Sequence, residues 1–313
     1  MGFLLLTQVM CEEEVSLRNH QEEADTKVFI CTKHAVDCHN SSSACINTVE
    51  TDISIYAIYF SQKIDVEIYV KTGVKERTRV LKISYVALEL GKDVCQALPA
   101  LHSFSGNDYT SSFHGIGKVK ALNVLLNSPE FIATFKEIGE NVTFDSALFE
   151  SIERFVLKLY GLKGCTDVNE GRYVKFTSSK ITPPPQKLPP TRDALLCHCK
   201  RVSFVTAMVK KSLETDFQMP SPDGYGWSIT EGKLSIVWII LPPAPDEVLQ
   251  LVSCNCKKSS CRRGNCNCLG YNLACTDLCG CGENCENQKK SQSDSDSSSD
   301  EESDLEEPYD NDN

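Results

Sequence analysis

The chain has 313 residues, 41% apolar and 24% charged, which excludes fibrous and membrane-spanning proteins and leaves room for two modest domains. Its net charge of -11 is local, because the segment Ser291 to Asn313 holds ten acids and no base, leaving the remainder near neutral. Seventeen cysteines, nine of them between Cys254 and Cys285, argue for metal binding in a reducing compartment over a disulfide framework.

The opening MGFLLLTQVM is short, lacks a basic flank and meets acids at once, so it does not read as a signal peptide. From there the pattern alternates. Lys27 to Val36 reads as a helix, Ala44 to Val49 as a short strand, and Ile53 to Phe60 as a buried helix. Val66 to Val70 and Arg77 to Ile83 are β-branched runs around a Thr72-Gly73 turn, a hairpin pattern, and Leu88 to Phe104 is helical again. The expected class is α/β.

Beyond this, Pro129 to Tyr173 carries helical spacing, with Phe149, Ile152, Val156 and Tyr160 recurring at three- and four-residue steps. The proline-rich ITPPPQKLPP interrupts it before a helix at Thr191 to Leu213, whose interior holds Cys197, His198 and Cys199. A Pro222 to Gly226 turn leads into LSIVWIILPP, which reads as a strand. Serine and acid alternation at the C-terminus cannot bury enough apolar surface to order itself, so a disordered tail is expected. The organisation is therefore 1–128, a mainly helical 129–251, a cysteine module at 252–287 and an acidic tail at 288–313.

The cysteine spacing is C-x-C-x4-C-x4-C-x-C-x6-C-x3-C-x-C-x3-C. Zinc takes four ligands in tetrahedral structural sites, so nine thiolates fill two sites with one spare, or three sites if three sulfurs each bridge two ions. So short a segment has little apolar core, and metal would supply its folding energy. The spacing resembles a CXC domain of the tesmin-like type, whose members fold around three zinc ions and bind DNA. By position the resemblance makes Cys254, Cys256, Cys261, Cys266, Cys268, Cys275, Cys279, Cys281 and Cys285 the ligands. Family members often insert a tyrosine from just before the fourth cysteine into the minor groove; Asn265 stands there in this chain. Lys257, Lys258, Arg262 and Arg263 give the first half of the module a basic side suited to phosphates.

Three acidic steps complete the pattern: Glu22, Glu23 and Asp25 in QEEADTK, Glu50 and Asp52 in VETD, and Asp108 in GNDY. Each falls where a predicted strand or loop meets a helix, which is how separate elements converge carboxylates on magnesium or manganese. Any one acid is equally explained as a helix N-terminal residue. Their order, followed by GIGKVKAL, resembles the latter half of the PIN-like nucleases of the flap endonuclease/XPG group. That resemblance implies a metal site of Glu23, Asp25, Glu50, Asp52 and Asp108, and a helix-hairpin-helix grip on duplex DNA at Gly115, Gly117, Lys118 and Lys120. The family starts with a further strand bearing an acid, whereas only twenty-one residues precede EEAD here, and Glu50 stands for an expected aspartate. An incomplete, inactive nuclease-like domain is the expectation. The pairing of the two modules resembles a set of mobile-element-derived invertebrate proteins. A nuclear, zinc-dependent DNA-binding protein follows as the expected function, ahead of a metal-dependent structure-specific endonuclease and a protein-interaction scaffold.

Overall fold

The computed structural model describes residues 3–6, 11–14, 17, 24–141, 144–179, 183–214, 217–218, 220–241, 253–256, 261, 266–270, 273–276, 279–281 and 285–287, divided between two units, 1–241 and 242–313. The acidic tail, Glu22 and Glu23, and the basic residues Lys257, Lys258, Arg262 and Arg263 with Asn265 lie outside the described residues.

The first unit is mixed α/β with small sheets. β1 (Phe3–Leu6) and β2 (Cys11–Glu14) pair antiparallel. α1 (Ala24–His39) leads to β3 (Ser43–Asn47), and α2 (Thr51–Phe60) crosses over to the parallel β4 (Glu67–Thr72). β5 (Arg79–Lys82) returns antiparallel, giving the order β3-β4-β5. The period-two alternation of β4 turns Ile68 and Val70 inward, where they pack with Phe29 of α1 and Tyr56, Ala57 and Phe60 of α2.

Two expected elements end early. The run from Arg77 gives only four strand residues, because Lys75–Arg77 is a 3-10 turn and Ile83 already starts α3 (Ile83–Leu90). The helix expected over Leu88 to Phe104 is broken at Gly91, whose φ of 78° ends α3 and starts α4 (Lys92–Ser105).

α4 is the axis of a second core. Against it pack α5 (Lys118–Leu126), α6 (Pro129–Glu137), α7 (Ser146–Leu159) and α9 (Arg192–Lys210), with α8 (Val168–Thr177) on α7. The spacing read in α7 does what amphipathic spacing should: Phe149, Ile152 and Val156 are buried, and Phe155 meets Phe104, Phe131 and Phe135 at ring distances of 5.7, 5.2 and 4.7 Å. Side-chain caps set the helix starts: Asp145 accepts from the Leu148 amide, Asp167 from those of Asn169 and Glu170, and Thr191 from that of Ala194. α9 joins both cores, giving Leu195, Cys199 and Val202 to one and Val209 to the other.

The strand expected in LSIVWIILPP stops at Ile236. β7 (Lys233–Ile236) pairs with β6 (Trp227–Thr230), and the chain then leaves the ladder because α9 takes its backbone. Arg201 donates to the Val237 carbonyl at 2.8 Å, and the Ile240 and Leu241 amides donate to Asp193 at 2.6 and 2.9 Å. No helix among the described residues is long and apolar enough to cross a membrane.

Candidate metal centre and carboxylate cleft

In the second unit the cysteines do the work of a core. Cys254, Cys261, Cys266, Cys268, Cys275 and Cys285 are buried together, with Cys256, Cys279 and Cys281 against them. Three groups of four place their sulfurs within 4.8 Å of one another: Cys254, Cys256, Cys261 and Cys266; Cys254, Cys268, Cys275 and Cys279; Cys254, Cys261, Cys275 and Cys281. Cys254 Sγ lies 3.9 Å from both Cys261 and Cys275, Cys266 is 3.8 Å from Cys275, and Cys268 is 3.6 Å from Cys279. These separations are far beyond the ~2.05 Å of a disulfide. A tetrahedron of thiolates ~2.3 Å from a central zinc has edges of about 3.8 Å, so the sulfurs fit that ion.

Backbone donors support the thiolate form. Burial pushes Cys279 up, but the Cys254 and Thr276 amides, 3.4 and 3.3 Å from its sulfur, overcome this and hold it at about 7. The Leu269 amide, in the helical turn Asn267–Gly270, brings Cys266 to about 6. Cys261 is pushed up by burial. Asn287 donates its amide to Cys275 Sγ at 3.4 Å and to the Leu273 carbonyl at 2.9 Å, so the last described residue ties the end of the module to a sulfur.

In the first unit, Asp25, Asp52 and Asp108 line one small cleft with Tyr56, Asn107 and Val209. Asp25 is in the first turn of α1, Asp52 in the first turn of α2, and Asp108 in the loop after α4. Asn107 shapes that loop, its Oδ1 accepting from the Tyr109 and Thr110 amides at 3.1 and 3.0 Å. Glu50 is the exposed residue before α2, and it does not line the cleft.

The acids are balanced from within. His102 Nε2 lies 3.0 Å from Asp52 Oδ2, and Lys118 Nζ donates to His102 Nδ1 at 3.0 Å and to the Gly106 carbonyl at 2.5 Å. A lysine donating to Nδ1 leaves the neutral ring's proton on Nε2, facing Asp52. Burial and the Lys118 charge lower His102, against the pull of Asp52 and Asp108. Lys118 is lowered by burial, with the same two acids opposing. Of the expected grip, Gly115, Gly117 and Lys120 are exposed, Gly115 with φ 72°, while Lys118 turns back onto the end of α4. Among the described residues, every compact group of three or more potential metal ligands is made of cysteines, so the cleft carboxylates do not form a tight ligand set.

His102 and Asn107 carry little sequence signal as site residues. His102 is a lone histidine near the end of a helix, and its only sequence signal is its closeness to Asp108; Asn107 is one polar residue of a turn. Cys197, His198 and Cys199 are buried in α9, as read, and His198 spans Ser111 and the Phe104 carbonyl at 3.2 and 3.0 Å. Searches against family models, characterised proteins and solved structures return no match to this chain.

Proposed function

We propose that the protein is a nuclear, zinc-dependent duplex-DNA-binding protein whose CXC-like module holds three zinc ions and whose PIN-like, nuclease-derived unit is inactive. The observation that carries the reading is the sulfur cluster. Cys254, Cys261 and Cys275 recur among its four-sulfur groups, and Cys285 is within hydrogen-bonding reach of Cys281, Cys275 and Cys261. Exchanging Cys254 for Cys285 in the third group uses all nine thiolates, with those three recurring sulfurs as bridges. Lys257 and Lys258 fall between Cys256 and Cys261, and Arg262, Arg263 and Asn265 between Cys261 and Cys266, so the bases fall between ligands of the first group. Such cations release counterions from duplex DNA, and the exposed Gly115-Gly117 turn and Lys120 add amides and a charge.

Elemental analysis should find about three zinc ions per chain, and gel-shift affinity for duplex DNA should fall steeply between 50 and 200 mM salt, as phosphate contacts require. One ion or fewer, or binding indifferent to salt, would refute it.

The endonuclease reading is favoured by one observation, the sharing of a cleft by Asp25, Asp52 and Asp108. It requires magnesium or manganese to displace the internal balance set by Lys118 and His102. Cleavage of flap DNA with manganese, abolished by Asp108→Asn, would establish it over the inactive reading.

A further inference from the structure

Arg201 is 2% exposed, yet among the described residues no carboxylate lies within ion-pair distance of its guanidinium. A buried charge without a counterion is costly, and proteins seldom tolerate one unless an anion arrives. Its described hydrogen bonds all come from one nitrogen: Nη1 donates to the Gly226 carbonyl at 3.1 Å and to the Val237 carbonyl at 2.8 Å. That suffices to tie the β6-β7 hairpin to α9. The other edge, Nε and Nη2, presents two parallel N–H groups, the fork that matches a carboxylate.

Arg201 forms part of the wall of a cavity of about 180 Å³, between the loop at Ser111 to Phe113, the first turns of α9 and the segment after β7. Phe113, Leu195, Trp238 and Ile239 make most of the remaining wall apolar. His198 brings no charge: burial lowers it, and its Nε2–H is committed to the Phe104 carbonyl, so Nδ1 accepts from Ser111. The cavity wall therefore combines one cation with a flat apolar lining that includes an exposed indole, the Trp238 ring 5.4 Å from the Arg201 guanidinium.

We propose that this cavity binds a small organic monocarboxylate with a single-ring or similarly compact apolar body, its carboxylate on Arg201 and its body against Phe113, Leu195 and Trp238. A phosphate monoester fits less well, because one guanidinium would leave a dianion half neutralised among apolar walls. The volume excludes anything as large as a nucleotide.

The chain has two tryptophans, so zinc-loaded full-length protein labelled with 15N at tryptophan gives two indole signals, assigned with Trp238→Phe. Titration with phenylacetate should move the Trp238 signal saturably, and phenylacetamide, equal in shape but uncharged, should bind about tenfold more weakly or less. Arg201→Lys should abolish the preference for the acid. Because that change could disturb the hairpin, Ala194→Leu is the second variant: it fills the cavity from a half-buried position and leaves Arg201 intact. It should remove the shift while leaving the circular dichroism spectrum unchanged. Equal response to acid and amide, no response to either, or an undiminished response in Ala194→Leu would each overturn the proposal.

Discussion

Asp52 and His102 meet across the cleft at 3.0 Å, one from the start of α2 and the other from the last turn of α4. The contact opposes what burial and Lys118 do to the imidazole. Asp52→Asn therefore removes an upward influence, and the His102 titration, followed by imidazole NMR, should move to lower pH. Lys118→Met removes a downward influence and should move it to higher pH. If both variants shift it the same way, the cleft is not arranged as described.

The second unit should depend on metal while the first does not. Both tryptophans, Trp227 and Trp238, lie in the first unit. A strong chelator should abolish amide protection around Cys254 to Asn287 and leave tryptophan fluorescence unchanged, because among the described residues the second unit's fully buried cluster is made of cysteines.

Position in the sulfur cluster ranks the cysteines. In the proposed nine-thiolate arrangement Cys254 bridges two four-sulfur groups, whereas Cys256 belongs to one. Cys256→Ser should lower bound zinc by about one ion, and Cys254→Ser by two or more. Elemental analysis of the two purified variants decides it.

Acid should weaken the first unit through His198. Burial holds its folded-state titration at about 4, against ~6.5 for an exposed imidazole. The unfolded chain thus takes the proton first as pH falls. Stability from this group is complete above about pH 7, drains away between 6.5 and 4, and amounts to about 3 kcal/mol. His102, also lowered, acts with the same sign. Urea unfolding followed by tryptophan fluorescence should show midpoints falling over this range, and His198→Asn should flatten the slope.

The aromatic core carries the largest single-residue cost. Phe155 is fully buried among Phe104, Phe131 and Phe135. Phe155→Ala should destabilise the first unit by about 3–5 kcal/mol. A loss below ~1 kcal/mol would mean that the core packs otherwise.

Periodicity made α7 legible, since Phe149, Ile152 and Val156 repeat at the helical step and all three are buried. Asp25, Asp52 and Asp108 were legible as a set only through their order along the chain; their meeting in one cleft is a tertiary fact. Local signals failed where distant groups intervene. LSIVWIILPP has strand propensity throughout, but Arg201 and Asp193 capture its second half. Arg201 itself left a readable trace, because Cys197, His198, Phe204 and Val205 flank it at three- and four-residue steps, placing an arginine on a buried helix face. Lys118 left none, since a lysine after a glycine turn points as readily to solvent as back to the preceding helix.

The place of α9 in both cores has a consequence for how the chain is made. α4 is covered by α2, α5, α6 and α9, of which α9 is made last, and the ribosome emits Lys210 about a hundred residues after Ser105. At about 5–20 residues per second, α4 waits roughly 5–20 s during synthesis before its cover is complete. Nascent chains stalled in that interval should be chaperone clients, and those stalled after α9 has cleared the exit tunnel should not.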